Sequence, residues 1–223
     1  MTGIINRAAV GSVTEVESDS FRAFLTDLEN YDKRPVQYCR RWEYPWIFHH
    51  GLASYDADKD DCDHLLDIGS GASPMPRWLS AMYGYRVTMV ETNPDFRGDC
   101  RIVRDERLPF MDNHFDWVTS FSVIEHQPNK QLAIDEIVRV LRPGGCLGIT
   151  FDLVEPEMGM AYPRNETPMT LKTFEEQIWF HPAFGNTRSP QWNLSDIPDF
   201  LAWHHSTHPT HSYVAGGAIL QKR

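Results

Sequence analysis

The sequence predicts an α/β fold: a three-layer sandwich whose central sheet is mostly parallel, covered by helices on both faces and closed by an antiparallel C-terminal strand. Three observations carry this expectation. Between about residues 62 and 152, short apolar runs alternate with helix-period patterns, the signature of strands joined by crossover helices. A Gly-x-Gly turn, Gly69-Ser70-Gly71, directly follows the first of those runs. A last apolar run, Ser212 to Leu220, stands alone after a long irregular stretch.

The elements follow in order. Residues 1–60 read as a helical, aromatic cap, with a helix around Phe21, Phe24, Leu25 and Leu28, then Tyr38, Trp42, Tyr44, Trp46 and Phe48. The core, residues 61–154, opens on a strand over His64–Ile68. Met75 to Tyr83 has room for a two-turn helix, and a second strand runs from Arg86 to Glu91 before Thr92-Asn93-Pro94. A short third strand lies near Arg101-Ile102-Val103, and a fourth, Phe115–Ser120, follows the turn residues Met111-Asp112-Asn113-His114. Leu132, Ile134, Ile137, Val138 and Leu141 have helical spacing, and Pro143-Gly144-Gly145 is a stop signal before the fifth strand, Cys146–Phe151. Residues 155–211, rich in Pro, Trp, His and Met, break the alternation and read as an insertion beside the site. A helix begins there near Thr170 or Thr173. Residues 212–223 close the sheet, with a bulge expected at Gly216-Gly217. A sixth strand of the expected seven is left to the stretch between 183 and 200.

Length and charge bound the function. The 223 residues make one domain with additions. Thirty-one acidic side chains against 21 basic ones leave a net charge of −10, which disfavours nucleic acid as a partner, because such binders bring excess Lys and Arg to the phosphates. A 41% apolar share with 7 Trp, 8 Tyr and 12 Phe supports a packed core. No run approaches the roughly 18 apolar residues of a membrane span, and the N-terminus shows no secretion leader. The expected location is therefore cytoplasmic. Cys39, Cys62, Cys100 and Cys146 lack any CxxC spacing and read as free thiols. Nothing in the sequence decides the oligomeric state.

The richest segment is Leu65-Leu66-Asp67-Ile68-Gly69-Ser70-Gly71-Ala72-Ser73. Two glycines let main chain approach a ligand closely. In a dinucleotide fingerprint the third glycine would stand where Pro74 does. A carboxylate at Asp67 would repel a diphosphate but suits an ammonium group. S-adenosylmethionine carries such an amine, a sulfonium and no phosphate. Twenty residues beyond Gly71 comes Glu91, placed at a strand end to accept hydrogen bonds from ribose hydroxyls.

These motifs resemble those of the class I S-adenosylmethionine-dependent methyltransferases, in particular the small-molecule group known as methyltransferase type 11. The resemblance covers roughly residues 62 to 152. Asp67-Ile68-Gly69-Ser70-Gly71 is similar to the family's first motif and Glu91 to its ribose-binding acid. Leu108-Pro109-Phe110 with Phe115-Asp116-Trp117-Val118, Ser122-Val123-Ile124-Glu125-His126, and Arg139-Val140-Leu141-Arg142-Pro143-Gly144-Gly145 follow in order. The resemblance implies a Rossmann-like fold and S-adenosylmethionine as cofactor, held by Asp67, Gly69, Ser70, Gly71, Glu91, Thr92, Ser120 and Ser122. The family's adenine-binding Asp falls at Arg104 here, so that contact is assigned to Asp105 with Glu106 beside it.

Methyl transfer from a sulfonium needs no metal, only positioning and exclusion of water. A hydroxyl nucleophile must also lose its proton, and His126 and Asp152, at the ends of the fourth and fifth strands, are the candidate bases. For His126 the bland alternative is a helix-start residue that shapes the cofactor pocket; for Asp152 it is a turn cap. His181, beside Trp179 and Phe180, is the candidate acceptor contact. The run His204-His205-Ser206-Thr207-His208-Pro209-Thr210-His211 is not read as a metal site, since Pro209 breaks its register and no Cys joins it. The leading expectation is a methyltransferase acting on a small molecule, an oxygen acceptor such as a sugar or natural-product hydroxyl being preferred. An NAD-dependent oxidoreductase and a catalytically idle cofactor-binding subunit are the alternatives.

Overall fold

The computed structural model describes residues 6–36, 39–54, 63–91, 93, 95, 98, 101–102, 107–161, 169–209 and 212–223. Its strands are β1 (Arg7–Val10), β2 (His64–Ile68), β3 (Arg86–Glu91), β4 (Arg101–Ile102), β5 (Phe115–Phe121), β6 (Leu141–Leu153) and β7 (Val214–Gln221). Its helices are α1 (Val13–Val16), α2 (Asp19–Asp32), α3 (Arg40–His50), α4 (Met75–Tyr83), α5 (Lys130–Val140), α6 (Leu171–Phe174) and α7 (Ile197–Thr207).

Among the described residues the strands form one sheet in the order β1-β7-β6-β5-β2-β3-β4. β2, β3, β4, β5 and β6 pair in parallel, and β7 runs antiparallel to both neighbours, so β1 points the same way as the core strands. Apart from β1 at the outer edge, chain order runs outward in two directions from β2, which makes the gap between the carboxyl ends of β2 and β5 the switch point where such sheets bind ligands. β5 is buried along its whole length. Trp42 and Ile47 of α3 lie over Gly217 and Gly148 on one face, with Trp78 of α4 packed edge-on to Phe24 and Phe48. On the other face Phe151 stacks on Phe174, 4.9 Å between ring centres.

Two expectations are corrected. The sixth strand is not between 183 and 200. That stretch holds single-turn helices, Pro182–Phe184 and Leu194–Asp196, and the start of α7. The position beyond β7 is taken by β1, with Arg7 opposite Ile219 and Val10 opposite Gly216. Asn193 finishes that outer edge, accepting from Val10 N at 3.0 Å and donating to Val10 O at 3.3 Å. A side-chain amide thus closes an edge that would otherwise invite another strand.

The bulge expected at Gly216-Gly217 is also absent: the β6–β7 register is unbroken from Cys146↔Gln221 to Leu153↔Val214. Close packing explains the glycines. A Cβ on Gly216 would lie 2.4 Å from the Phe151 ring, and one on Gly217 would lie 3.3 Å from Trp42. The irregularity lies elsewhere, between β5 and β6, where the pairing shifts from Phe115↔Leu141 to Trp117↔Cys146 and Arg142–Gly145 bow out. Helix α5 starts where Asn129 caps Leu132 N at 3.1 Å and ends at Val140, just before that bow. Thr170, of the two candidates, caps α6 through Thr173 N at 3.0 Å. No described helix is long and apolar enough to cross a membrane.

Candidate cofactor and active site

β2 delivers Asp67 and Ile68 to the switch point, and the chain then turns through Gly69 (φ +70°) and Gly71 (φ +48°). Positive φ is cheap only for glycine. At Gly69 a second constraint acts, since a Cβ there would lie 2.3 Å from Val123 Cγ2. The turn is tied to β3 by Gly69 N and Ser70 N, both donating to Val90 O at 2.9 and 3.0 Å. Glu91, at the end of β3, accepts from Gly71 N at 3.0 Å and from Asn93 N at 3.0 Å. Its carboxylate therefore faces the glycine turn, with bare main chain beside it.

Asp67 is 1% exposed. Burial pushes its carboxyl up to about 6, and hydrogen bonding to Ser70 and Thr119 together with the nearby Arg40 charge oppose that rise. Thr119 Oγ1 donates to Asp67 Oδ1 at 2.6 Å. In front of Asp67 lies a cavity of about 670 Å³, walled by Gly69 and Gly71 on one side and by Arg40, Tyr44 and Phe121 on the other. Tyr44 holds Ser73 through a 2.9 Å hydroxyl contact and meets Phe121 edge-on at 4.9 Å. The N-terminal region, not only the core, thus encloses the cavity.

Arg40 is a site residue the sequence reading missed. It contacts Glu43 Oε2 at 2.5 Å and donates to Ser122 Oγ at 2.7 Å and Phe121 O at 3.2 Å. Burial alone would depress the Arg40 guanidinium, but Glu43, with Tyr44, Asp152 and Glu125 behind it, more than offsets this and raises it. Glu43, fully buried, also accepts from Ser122 Oγ at 3.0 Å and Thr150 Oγ1 at 2.9 Å. Ser122 adopts φ +47° at the end of β5, a conformation non-glycine residues pay for, and it is held there by this network and by Thr150 O at 3.0 Å. A charged aromatic sequence such as Arg40-Arg41-Trp42-Glu43 carried no signal of this role, because only the fold brings α3 to the ends of β5 and β6.

The two candidate bases are brought together, with a third group beside them. Ligand atoms of Glu125, His126 and Asp152 all lie within 4.8 Å of one another. Glu125 Oε1 accepts from Asp152 N at 3.0 Å, and its Oε2 is buried without a hydrogen-bond partner among the described residues. Burial, then the neighbouring Asp152, pushes the Glu125 carboxyl well above the usual range. Glu125 was legible only as a neighbour of His126 in its motif. Ser120 is buried and faces a separate small pocket shared with Ile68, Leu108 and Val123. His181 stands apart from the cavity. It caps a turn through Ala183 N and contacts Asp135 Oδ1 on α5 at 3.0 Å. Thr92, Asp105 and Glu106 lie outside the described residues. Of the histidine run, His204 is fully buried against Cys39 Sγ, 3.6 Å away, and Tyr213 O, 3.0 Å away.

Comparison with known proteins is consistent with this geometry. Residues 66–149 match the family described as Methyltransferase domain. A 2-methyl-6-phytyl-1,4-hydroquinone methyltransferase of Synechocystis sp. is 28% identical over 142 residues, 58% of this chain and 44% of that protein. A ubiquinone/menaquinone biosynthesis C-methyltransferase of Stutzerimonas stutzeri is 31% identical over 102 residues, 38% of this chain and 40% of that one. The chain thus spans about two fifths of the length of these curated relatives. Among solved structures, the [4+2]-cyclase SpnF superposes with a TM-score of 0.54 at 18% identity, covering 96% of this chain and 98% of its own. Phosphoethanolamine N-methyltransferase 2 of Haemonchus contortus, solved with S-adenosyl-L-methionine, gives 0.51 at 17% identity, covering 92% and 60%. At these identities the structures share the fold.

Proposed function

We propose that this chain, a class I S-adenosylmethionine-dependent methyltransferase, transfers a methyl group to a hydroxyl of a small molecule such as a sugar or natural product. The observation that carries the reading is the meeting of Asp67 and the glycine turn at one cavity, with Glu91 bound to that turn through Gly71 N. The donor set fits the cofactor on chemical grounds. A buried carboxylate suits an ammonium, the Arg40 guanidinium suits a carboxylate, and Glu91 beside bare main chain suits a vicinal diol. A diphosphate would meet Asp67 as a like charge, which counts against the nicotinamide alternative.

The cofactor supplies an activated methyl group, so the protein's work is to bind, orient and exclude water. Asp67 and Arg40 would hold the amino-acid end, and Glu91 the sugar. Tyr44 and Phe121 would cover the apolar part of the cavity against water. An acceptor hydroxyl must give up its proton, and the group of Glu125, His126 and Asp152 is the proposed destination. Within it, His126 is half-buried, Asp152 is 8% exposed and Glu125 2%. His126 or Asp152 would take the proton, and Glu125, through Asp152 N, would position Asp152. The net charge of −10 favours a small acceptor over nucleic acid, and a soluble cytoplasmic setting is proposed with it.

A second reading is methylation at a ring carbon of a quinol, favoured by the names of the two relatives. Both readings require a hydroxyl that gives up its proton, and on a phenol or quinol the resulting phenolate activates its oxygen and its ring carbons alike. Incubation with radiolabelled cofactor and a panel of phenols, quinols and sugars, followed by NMR of any product, separates them: an O-methyl signal supports the first and a C-methyl signal the second. Saturable cofactor binding with no transfer to any compound would instead favour an idle binding subunit.

A further inference from the structure

We infer that a second binding site, selective for a small oxyanion such as a phosphate group, lies at the end of the sheet opposite the glycine turn. Arg7 begins β1, which runs parallel to the core strands, and Arg223 follows the end of antiparallel β7. Both therefore sit at the amino ends of the core strands, away from Asp67. There a cavity of about 470 Å³ is lined by Arg7, Arg188 and Arg223, with Trp179, Asn186 and Thr187 among its other walls. Among the described residues no Asp or Glu lines it.

The arginines are what make this cavity unusual in a chain of net charge −10. Arg34, Arg40, Arg41, Arg139 and Arg142 each hold a carboxylate. Arg188 and Arg223 make no ion pair with any described residue, and Arg7 rests against His50 Nδ1 at 2.6 Å. The nearest acid along the chain that touches this loop, Glu175, is engaged with Ser189 Oγ at 2.7 Å and Trp192 Nε1 at 3.4 Å. Three guanidinium groups around one concavity repel each other unless an anion lies between them, and guanidinium geometry matches a phosphate through paired N–H donors.

The loop is also held in place before any ligand arrives. Asn6 donates to Phe184 O at 3.1 Å and Asn186 Oδ1 at 2.9 Å, and it accepts from Gln221 N at 2.8 Å. Asn186 in turn donates to Trp179 O at 2.9 Å, and Trp179 Nε1 donates to Arg188 O at 2.7 Å. Arg223 N donates to Ala183 O at 2.9 Å, and its guanidinium lies over Gly185, where a Cβ would come within 2.1 Å of Nε. A pocket fixed by side-chain amides loses little entropy on filling.

Tryptophan fluorescence and thermal shift of the full chain, titrated with inorganic phosphate and with glycerol 3-phosphate at constant ionic strength, test this. Saturable binding is expected, weakened about tenfold or more in Arg188→Ala and in Arg223→Ala, with S-adenosylhomocysteine affinity unchanged in both variants. Tighter binding of glycerol 3-phosphate would identify a phosphoester as the ligand, and tighter binding of phosphate the free ion. Absence of saturation up to about 20 mM, equal titration of the variants, or a response reproduced by sodium chloride would overturn the inference.

Discussion

Asp67 accepts a 2.6 Å hydrogen bond from the Thr119 hydroxyl across β2 and β5, at the register position where the two residues are Cα partners. The bond fixes which way the carboxylate points, but it does not repay burial, and Asp67 still titrates near 6. The folded chain holds a charge it would rather not carry, beside a cavity that suits a cation.

That arrangement costs stability with a definite sign. The carboxyl titrates at about 3.8 when unfolded and about 6 when folded. Between those values the folded state binds more protons, so stability falls as pH rises through the window, by up to about 3 kcal/mol. Asp67→Asn should therefore raise the melting temperature of the ligand-free protein by a few degrees at pH 8. The advantage should vanish near pH 4. A variant no more stable than the parent at pH 8 would mean the carboxylate is already well compensated.

The same titration governs the cofactor. An ammonium partner needs the ionised carboxylate, so S-adenosylhomocysteine affinity should fall by roughly tenfold per pH unit below about 6. Asp67→Asn should bind about 10- to 100-fold more weakly at pH 8, and its affinity should be flat across the window. Calorimetry from pH 5 to pH 8 measures both.

Glu43 is expected to be a structural keystone of the same region. Its carboxylate is fully buried and answers Arg40, Ser122 and Thr150 at once. Glu43→Ala would strand those donors. Removing one partner of a buried pair typically costs ~3–5 kcal/mol, and because Arg40 keeps 31% of its side chain open, a loss of about 2–3 kcal/mol is expected in chemical denaturation. Glu43→Gln, which keeps an acceptor, should cost less.

The adjacent glycines of β7 offer a graded test of packing. A methyl at Gly216 runs into the Phe151 ring at 2.4 Å, whereas one at Gly217 meets Trp42 at 3.3 Å. Gly216→Ala should cost about 1–3 kcal/mol and Gly217→Ala under ~1 kcal/mol. Equal losses would show that the strand shifts to accommodate either one.

Much of this was legible in the sequence because it is local. The strand-turn-strand unit from His64 to Glu91 announces itself by apolar runs, two glycines and an acid at fixed spacing, α4 by the room left between two strands, and α5 by its period and stop. β1 was not legible: Arg7-Ala8-Ala9-Val10 is too short to show alternation, and its place beside β7 is set by pairing across more than two hundred residues. Gly216-Gly217 carried a real signal with two meanings, bulge or close ring contact, and only the packed aromatics choose between them. Arg40 and Glu125 escaped for a related reason. Their neighbours in the site come from β2, β5 and β6, so their roles exist only once the sheet has assembled. His181 shows the converse, an aromatic context that suggested a pocket but serves a turn and a contact with Asp135.

The most direct test of the account is calorimetric titration of the full chain with S-adenosylhomocysteine and, separately, with NADH, repeated for Asp67→Ala and Glu91→Ala. Micromolar binding of the first ligand, none of the second, and a loss of about tenfold or more in each variant are predicted. Unchanged affinity in both variants, or preference for NADH, would contradict it.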